Sequence, residues 1–255
     1  MDDRDAARRA MAANYRRTMA LLATHAGGPR VGSRTFGRVE AIVLDHPAAF
    51  YHAVLALDPA VATTDVLGAI DWVESTGRKP SVHLIDGATD EVSHALADRG
   101  LTALDPSVAM ALAPIPGSLE VPLPPGASVR IGGGELAEDW YAALEVGEGF
   151  RATWGPAVVA DPDVRIAVGD IDGDLVAGAM AVRSDEDALG VYVVWTAERA
   201  RRRGLGRAVT ASAIRAGIEA WGSRIAVLQA TDMGRPVYAA LGFVEIGTVT
   251  IVTRP

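Results

Sequence analysis

The sequence predicts an α/β protein whose second half is a mixed central sheet, an antiparallel meander followed by a βαβ unit. Three observations carry this. Short β-rich runs alternate with apolar-periodic helical stretches along the whole chain. In the second half, three β-runs are separated only by turn sequences, and a long helical stretch then separates the last of them from the next. A proline-dense segment near the middle cuts the chain in two. With 255 residues, 49% of them hydrophobic, the chain has enough apolar side chains for two cores.

Residues 3–24 predict a helix, with Ala7, Met11, Tyr15, Met19 and Leu22 at three-to-four spacing and a stop at His25-Ala26-Gly27-Gly28-Pro29. Two β-runs follow, Arg38 to Leu44 and Phe50 to Leu57, joined by Asp45-His46-Pro47. Next come a helix from Asp65 to Ser75, a strand from Ser81 to Ile85, a helix from Asp90 to Arg99 capped by Thr89, and a strand from Ser107 to Leu112. Five of the 14 prolines fall between residues 113 and 126. Residues 116–126 are therefore read as a semi-rigid linker between an accessory α/β domain, 1–115, and a second domain, 127–255.

The second domain opens with a strand, Ser128 to Ile131, and a helix, Leu136 to Glu145, before Val146-Gly147-Glu148-Gly149-Phe150 breaks the pattern. Pro156 to Val159 starts a short helix. The meander is Arg165 to Asp170, Asp174 to Val182 and Leu189 to Val194, with Asp172-Gly173 in the first turn and Ser184-Asp185-Glu186-Asp187 as the second. A helix from Leu205 to Ala220, a strand from Arg224 to Ala230, a short helix from Gly234 to Ala240 and a strand from Val244 to Val252 complete it.

Composition excludes several function classes. Absence of cysteine rules out disulfides, thiolate metal sites and a cysteine nucleophile. No apolar run is long enough to cross a membrane, and the start Met-Asp-Asp-Arg-Asp is too acidic for a leader, so a cytoplasmic, membrane-free protein is expected. A net charge of −8 argues against nucleic-acid binding. The five histidines show no metal spacing, and no metal is expected.

One compact basic spot stands out. Residues 117–255 carry 18 acids and 13 bases, and five of those bases are Arg199, Arg201, Arg202, Arg203 and Arg207. They surround Gly204-Leu205-Gly206, between a β-run ending at Trp195 and the long helix. Glycines at a strand-to-helix turn let the backbone approach a ligand, and the helix start offers unpaired N–H groups to an anion. The bland alternative is a solvated arginine face.

Taken with two further features, the sequence resembles the GNAT superfamily of N-acetyltransferases. Arg201-Arg202-Arg203-Gly204-Leu205-Gly206 fits that family's acyl-CoA pyrophosphate loop, and Pro236-Val237-Tyr238-Ala239-Ala240-Leu241-Gly242-Phe243 fits its C-terminal signature. The order of elements over 127–255 fits its fold. Strand–helix–Gly–strand over 81–112 echoes the chain's end, and residues 1–115 are read as a degenerate GNAT-like domain.

The resemblance implies an acetyltransferase that uses acetyl-CoA as co-substrate. The main-chain N–H groups of Arg203, Gly204, Gly206 and Arg207 would cradle the pyrophosphate, with Arg201, Arg202 and Leu205 in the same loop. Val193, Val194 and Trp195 would lie along the pantetheine arm, and Tyr238 would protonate the leaving thiolate. Many relatives carry asparagine seven residues before the tyrosine, where this chain has Thr231. Many carry a glutamate on the strand before the loop, where Gly190-Val191-Tyr192-Val193-Val194 has none. The base is therefore sought in Glu145 or Glu148, with Glu148 preferred. Trp140, Phe150 and Trp154 flank that acceptor region or pack the core. The acceptor is a small-molecule or protein amine, and a homodimer suits an oligomerising first half. The rival reading is a non-catalytic acyl-CoA sensor.

Overall fold

The computed structural model describes residues 3–26, 32–185 and 187–254. They form two compact units, each built from two separate stretches: Met19–Ala109 with Gly247–Pro255, and Met1–Thr18 with Met110–Ile246. Helix α1 (Asp3–Ala26) begins the chain, and its expected stripe, Ala7, Met11, Tyr15, Met19 and Leu22, is buried. The expected stop at Gly27-Gly28-Pro29 lies outside the described residues, as does Glu186 in a later turn.

In the unit of Met19–Ala109, strands β1 (Gly32–Phe36), β2 (Val39–Val43) and β3 (His52–Ala56) form an antiparallel meander. Helix α2 (Thr63–Ser75) then crosses to β4 (Ser81–Ile85), which pairs parallel with β3. Helix α3 (Asp90–Asp98) follows, its first turn capped by the Thr89 hydroxyl accepting from Val92 N–H at 3.3 Å. Strands β5 (Thr102–Ala103) and β6 (Ser107–Leu112) come next, and the chain passes from one unit to the other within β6. The core lies between α2, α3 and the sheet, around Val54, Ile70, Val82 and Leu96. Sequence reading misses β1, because Gly-Ser-Arg-Thr-Phe is an edge strand with no buried position and hence no apolar alternation. The strand expected from Phe50 starts at His52, since Ala49–Tyr51 form a 3₁₀ turn.

The other unit has the expected order with one helix added. It runs β7 (Ala127–Gly132), α4 (Ala137–Leu144), α5 (Glu148–Thr153), α6 (Pro156–Val159), β8 (Val164–Ile171), β9 (Asp174–Arg183), β10 (Ala188–Thr196), α7 (Leu205–Trp221), β11 (Ile225–Ala230) and α8 (Arg235–Ala239). The sheet order is β7-β8-β9-β10-β11-β6. Its first four strands pair antiparallel, and β10 pairs parallel with β11. Helix α7 is apolar along a wide stripe and buries Leu205, Val209, Ala213, Ile214 and Ala216 of it, while Ile218 and Trp221 at its end are half-buried.

The proline-dense segment carries neither helix nor strand. Missing donors do not stop it packing: Ile115 N–H donates to Arg224 O at 2.8 Å and Leu119 is buried, both inside this unit. The final strand, β12 (Val244–Thr253), is divided by sequence; its residues 249–253 pair antiparallel with β4.

Candidate active site

The site begins where two parallel strands part. β10 and β11 are in register only from Ala188–Gly190 against Ile225–Val227. Beyond that, β10 continues to Thr196 and β11 to Ala230 without pairing to each other. A bulge redirects β10. Its register against β9 jumps from Tyr192↔Met180 to Trp195↔Gly178, so Val193 and Val194 face one residue of the neighbouring strand. Val193 sits at φ +51, a conformation that costs a β-branched residue roughly 1–3 kcal/mol and survives only where its surroundings enforce it.

A cleft of about 540 Å³ occupies this divergence. Val194, Trp195 and Thr196 form one wall, and Thr231, Gly234 and Tyr238 another. Arg201, Arg202, Gly204, Leu205, Gly206 and Arg207 close its end. Val193 and Arg203 belong to the same segments but do not form the walls.

The turn into α7 is built as its glycines require. Arg202 and Gly204 take φ +60 and +92. A Cβ at Gly204 would meet no atom within 4 Å, so backbone conformation, not space, selects glycine there. Ala208 N–H bonds back to Gly204 O at 3.0 Å. In an α-helix, the donors of Leu205, Gly206 and Arg207 just before it have no intrahelical acceptor, and the helix dipole adds positive potential at this end. Two arginines complete the end wall. Arg201 donates from Nε to Thr196 O at 3.1 Å, and its guanidinium lies 5.5 Å from the Trp195 ring. Arg207 buries an Nε that has no hydrogen-bond partner among the described residues. This arrangement suits a polyanion with an attached arm running up between the strands.

Tyr238 reaches the opposite wall from α8. Its ring is 8% exposed and packs 6.1 Å from Phe243. Burial pushes its phenol up to about 12, so it carries its proton at neutral pH. Gly234 gives the ring room, since a Cβ there would come within 2.9 Å of it. The Thr231 hydroxyl accepts from Gly234 N–H at 3.2 Å, bracing the turn before α8.

The two carboxylates weighed for the base differ. Glu145 ends α4 in the left-handed region (φ +55) and pairs with Arg199. Arg199 also grips Asp174 through two bonds, at 3.0 and 3.1 Å, and those bonds hold the Asp174 carboxyl below its usual range. Glu145 is thus one arm of a surface ion-pair cluster that sequence reading misses, because its members come from α4, β9 and the turn after β10. Glu148 opens α5; its side chain lies outside the described residues. The aromatic side chains nearby form a chain, Trp140–Phe150–Trp154–Tyr192, with ring centroids 5.9, 6.5 and 6.1 Å apart. Trp140 is fully buried, so this end of the chain is core. Among the described residues, no group of three or more His, Asp or Glu could hold a metal ion. None of their helices is long and apolar enough to cross a membrane.

The same fold occurs in known proteins. Residues 135–243 match the acetyltransferase (GNAT) family model. A GCN5-related N-acetyltransferase from Kribbella flavida shares the fold over 98% of this chain and 95% of its own, with TM-score 0.75 at 22% identity. A tandem GNAT protein from the clavulanic acid biosynthesis pathway does so over 99% and 95%, with TM-score 0.63 at 13% identity. A GCN5-related N-acetyltransferase from Sphaerobacter thermophilus matches over 85% and 77%, with TM-score 0.55 at 14% identity. No curated protein matches the chain. The parted strands, the glycine turn and the matched segment lie together, and residues 135–243 constitute a domain of the GNAT acetyltransferase family.

Proposed function

We propose that this chain transfers acetyl from acetyl-CoA to a primary amine by direct attack, with no covalent enzyme intermediate. The observation that carries the reading is the wedge between β10 and β11, which ends on the unpaired donors of α7. The N–H groups of Leu205, Gly206 and Arg207, with the Arg202 and Arg207 side chains, would take the pyrophosphate. The main chain of Val194 and Trp195 would bond the pantetheine arm, which brings the thioester toward Tyr238. The amine nitrogen attacks the thioester carbonyl and the C–S bond breaks. Tyr238 gives its proton to the departing sulfur, and the proton lost by the attacking amine passes to Glu148 or to solvent. The net charge of −8 favours a cationic acceptor, either a small amine or a protein amine. A cytoplasmic location, where acyl-CoA is available, goes with this reading. Isothermal titration with acetyl-CoA, then thiol release on a panel of amines, tests the reading; no binding at millimolar ligand sinks it.

Two features of the sequence favour a second reading, a non-catalytic acyl-CoA sensor. β10 bears no carboxylate, and Thr231 stands where many members of the family it resembles carry asparagine. Binding without thiol release on any amine selects it.

We also read Met19–Ala109 as a second, degenerate GNAT-like unit. Its meander β1-β2-β3 followed by α2 and a parallel β4 repeats the order of β8-β9-β10, α7 and β11. Its parallel pair stays in register from Ala53–Ala56 against Ser81–Leu84, nearly the full length of both strands. No wedge opens there, which supports a unit without a coenzyme site.

A further inference from the structure

We propose that Asn14, on α1, is a positioning residue for the bulge at Val193–Val194, and through it for the main-chain groups that the cleft presents. The functional part of this inference rests on the acyl-CoA reading of the cleft. Asn14 is polar yet 0% exposed. Both ends of its amide are used. Oδ1 accepts from the Tyr192 hydroxyl at 2.6 Å, and Nδ2 donates to Val182 O at 2.9 Å. Tyr192 is the last residue of β10 in register before the bulge, and Val182 lies opposite Gly190 on β9. One side chain therefore ties the two strands together immediately before Val193.

The sheet makes room for this amide. A Cβ at Gly190 would stand 1.8 Å from Asn14 Oδ1 and 2.6 Å from the Tyr192 ring. Burying a helix stripe needs only apolar residues, and a buried amide is costly unless both its ends are bonded. What the amide adds is direction: it fixes Tyr192, whose ring also rests 6.1 Å from Trp154. Val193 holds its left-handed conformation only if its neighbours enforce it. With Tyr192 released, the bulge is free to migrate along β9, which would turn the cleft's donors and acceptors away.

The test compares Tyr192→Phe, Asn14→Ala and the double variant with the unaltered full chain. Arg17→Ala serves as control; it breaks an ion pair of the same helix with Asp163 (2.6 Å), which precedes β8, a strand that does not pair with β10. Amide hydrogen exchange is read at Val193–Thr196 without ligand, and acetyl-CoA affinity by titration. Tyr192→Phe and Asn14→Ala should speed exchange at these residues about tenfold and weaken acetyl-CoA binding about five- to tenfold. The double variant should match Asn14→Ala alone, and Arg17→Ala should leave both readouts unchanged. Unchanged exchange at Val193–Thr196 in both single variants overturns the proposal. So does faster exchange spread evenly over α1 and the sheet, which signals loss of helix docking alone. If Asn14→Ala fails to fold, Tyr192→Phe, which loses one hydroxyl, decides the matter. If the unaltered chain binds no acetyl-CoA, the coenzyme reading falls, and ligand-free exchange still decides whether Asn14 sets the bulge.

Discussion

Arg201 lies over Trp195, its guanidinium 5.5 Å from the ring, and the same side chain bonds the carbonyl of the next residue, Thr196. Arg201 thus braces the end of β10, and on the coenzyme reading Arg202 and Arg207 are the arginines left to meet the ligand. Removing it costs a cation–π contact and a hydrogen bond, together about 1–2 kcal/mol. Arg201→Ala should raise the acetyl-CoA dissociation constant by roughly five- to twentyfold. Arg201→Lys keeps the charge but loses the Nε bond, so titration should place it between the two.

Gly204 tests the backbone of the turn by itself. Nothing crowds its missing side chain, so Gly204→Ala pays only for φ +92, about 1–2 kcal/mol. Calorimetry should show the melting temperature lowered by about 2–6 °C. Gly147→Ala, where φ is −84 and the space is equally open, should change it by far less.

Tyr238 sets a pH expectation. Its phenol ionises near 12 in the folded chain and near 10 when unfolded. The stability tied to this group is whole below pH 10 and is lost as pH rises toward 12, because the unfolded chain releases its proton first. Turnover should therefore show no alkaline loss through Tyr238 below about pH 11. Tyr238→Phe should lower turnover roughly a hundredfold while acetyl-CoA affinity changes by less than about twofold. Steady-state kinetics beside titration separates the two, and unchanged turnover removes Tyr238 from the acid role.

Glu145 and Glu148 separate by mutation. Glu145 and Arg199 are exposed, and such pairs contribute about 0–1 kcal/mol, so Glu145→Gln should leave turnover within about threefold. Glu148→Gln should lower turnover at least tenfold, chiefly below pH 8 where the acceptor amine is charged. Equal rates for Glu148→Gln and the unaltered chain would leave solvent as the proton acceptor.

The regular elements of the second unit were legible because their signals are local. The Asp172-Gly173 turn, the Gly204 and Gly206 turn and the apolar stripe of α7 each lie within a few residues, and each is found where expected. β1 was not legible, because an edge strand buries too little to leave an alternating pattern. The site was half legible. Gly204, Gly206 and Tyr238, singled out by sequence, all line the cleft, but the bulge at Val193 leaves no mark in Val-Tyr-Val-Val-Trp. Asn14–Tyr192 and Glu145–Arg199–Asp174 join residues from distant segments, and no spacing rule reaches that far.

The pairing of β4 with residues 249–253 sets an order of events during synthesis. A ribosome releases Met19–Ala109 early, yet that unit's sheet lacks a strand until the whole of the other unit has been made. Until then β4 carries an unpaired edge, open to association with other chains. A fragment cut in the proline-dense segment leaves that edge bare permanently, so separate expression of the two halves should favour aggregation of the first.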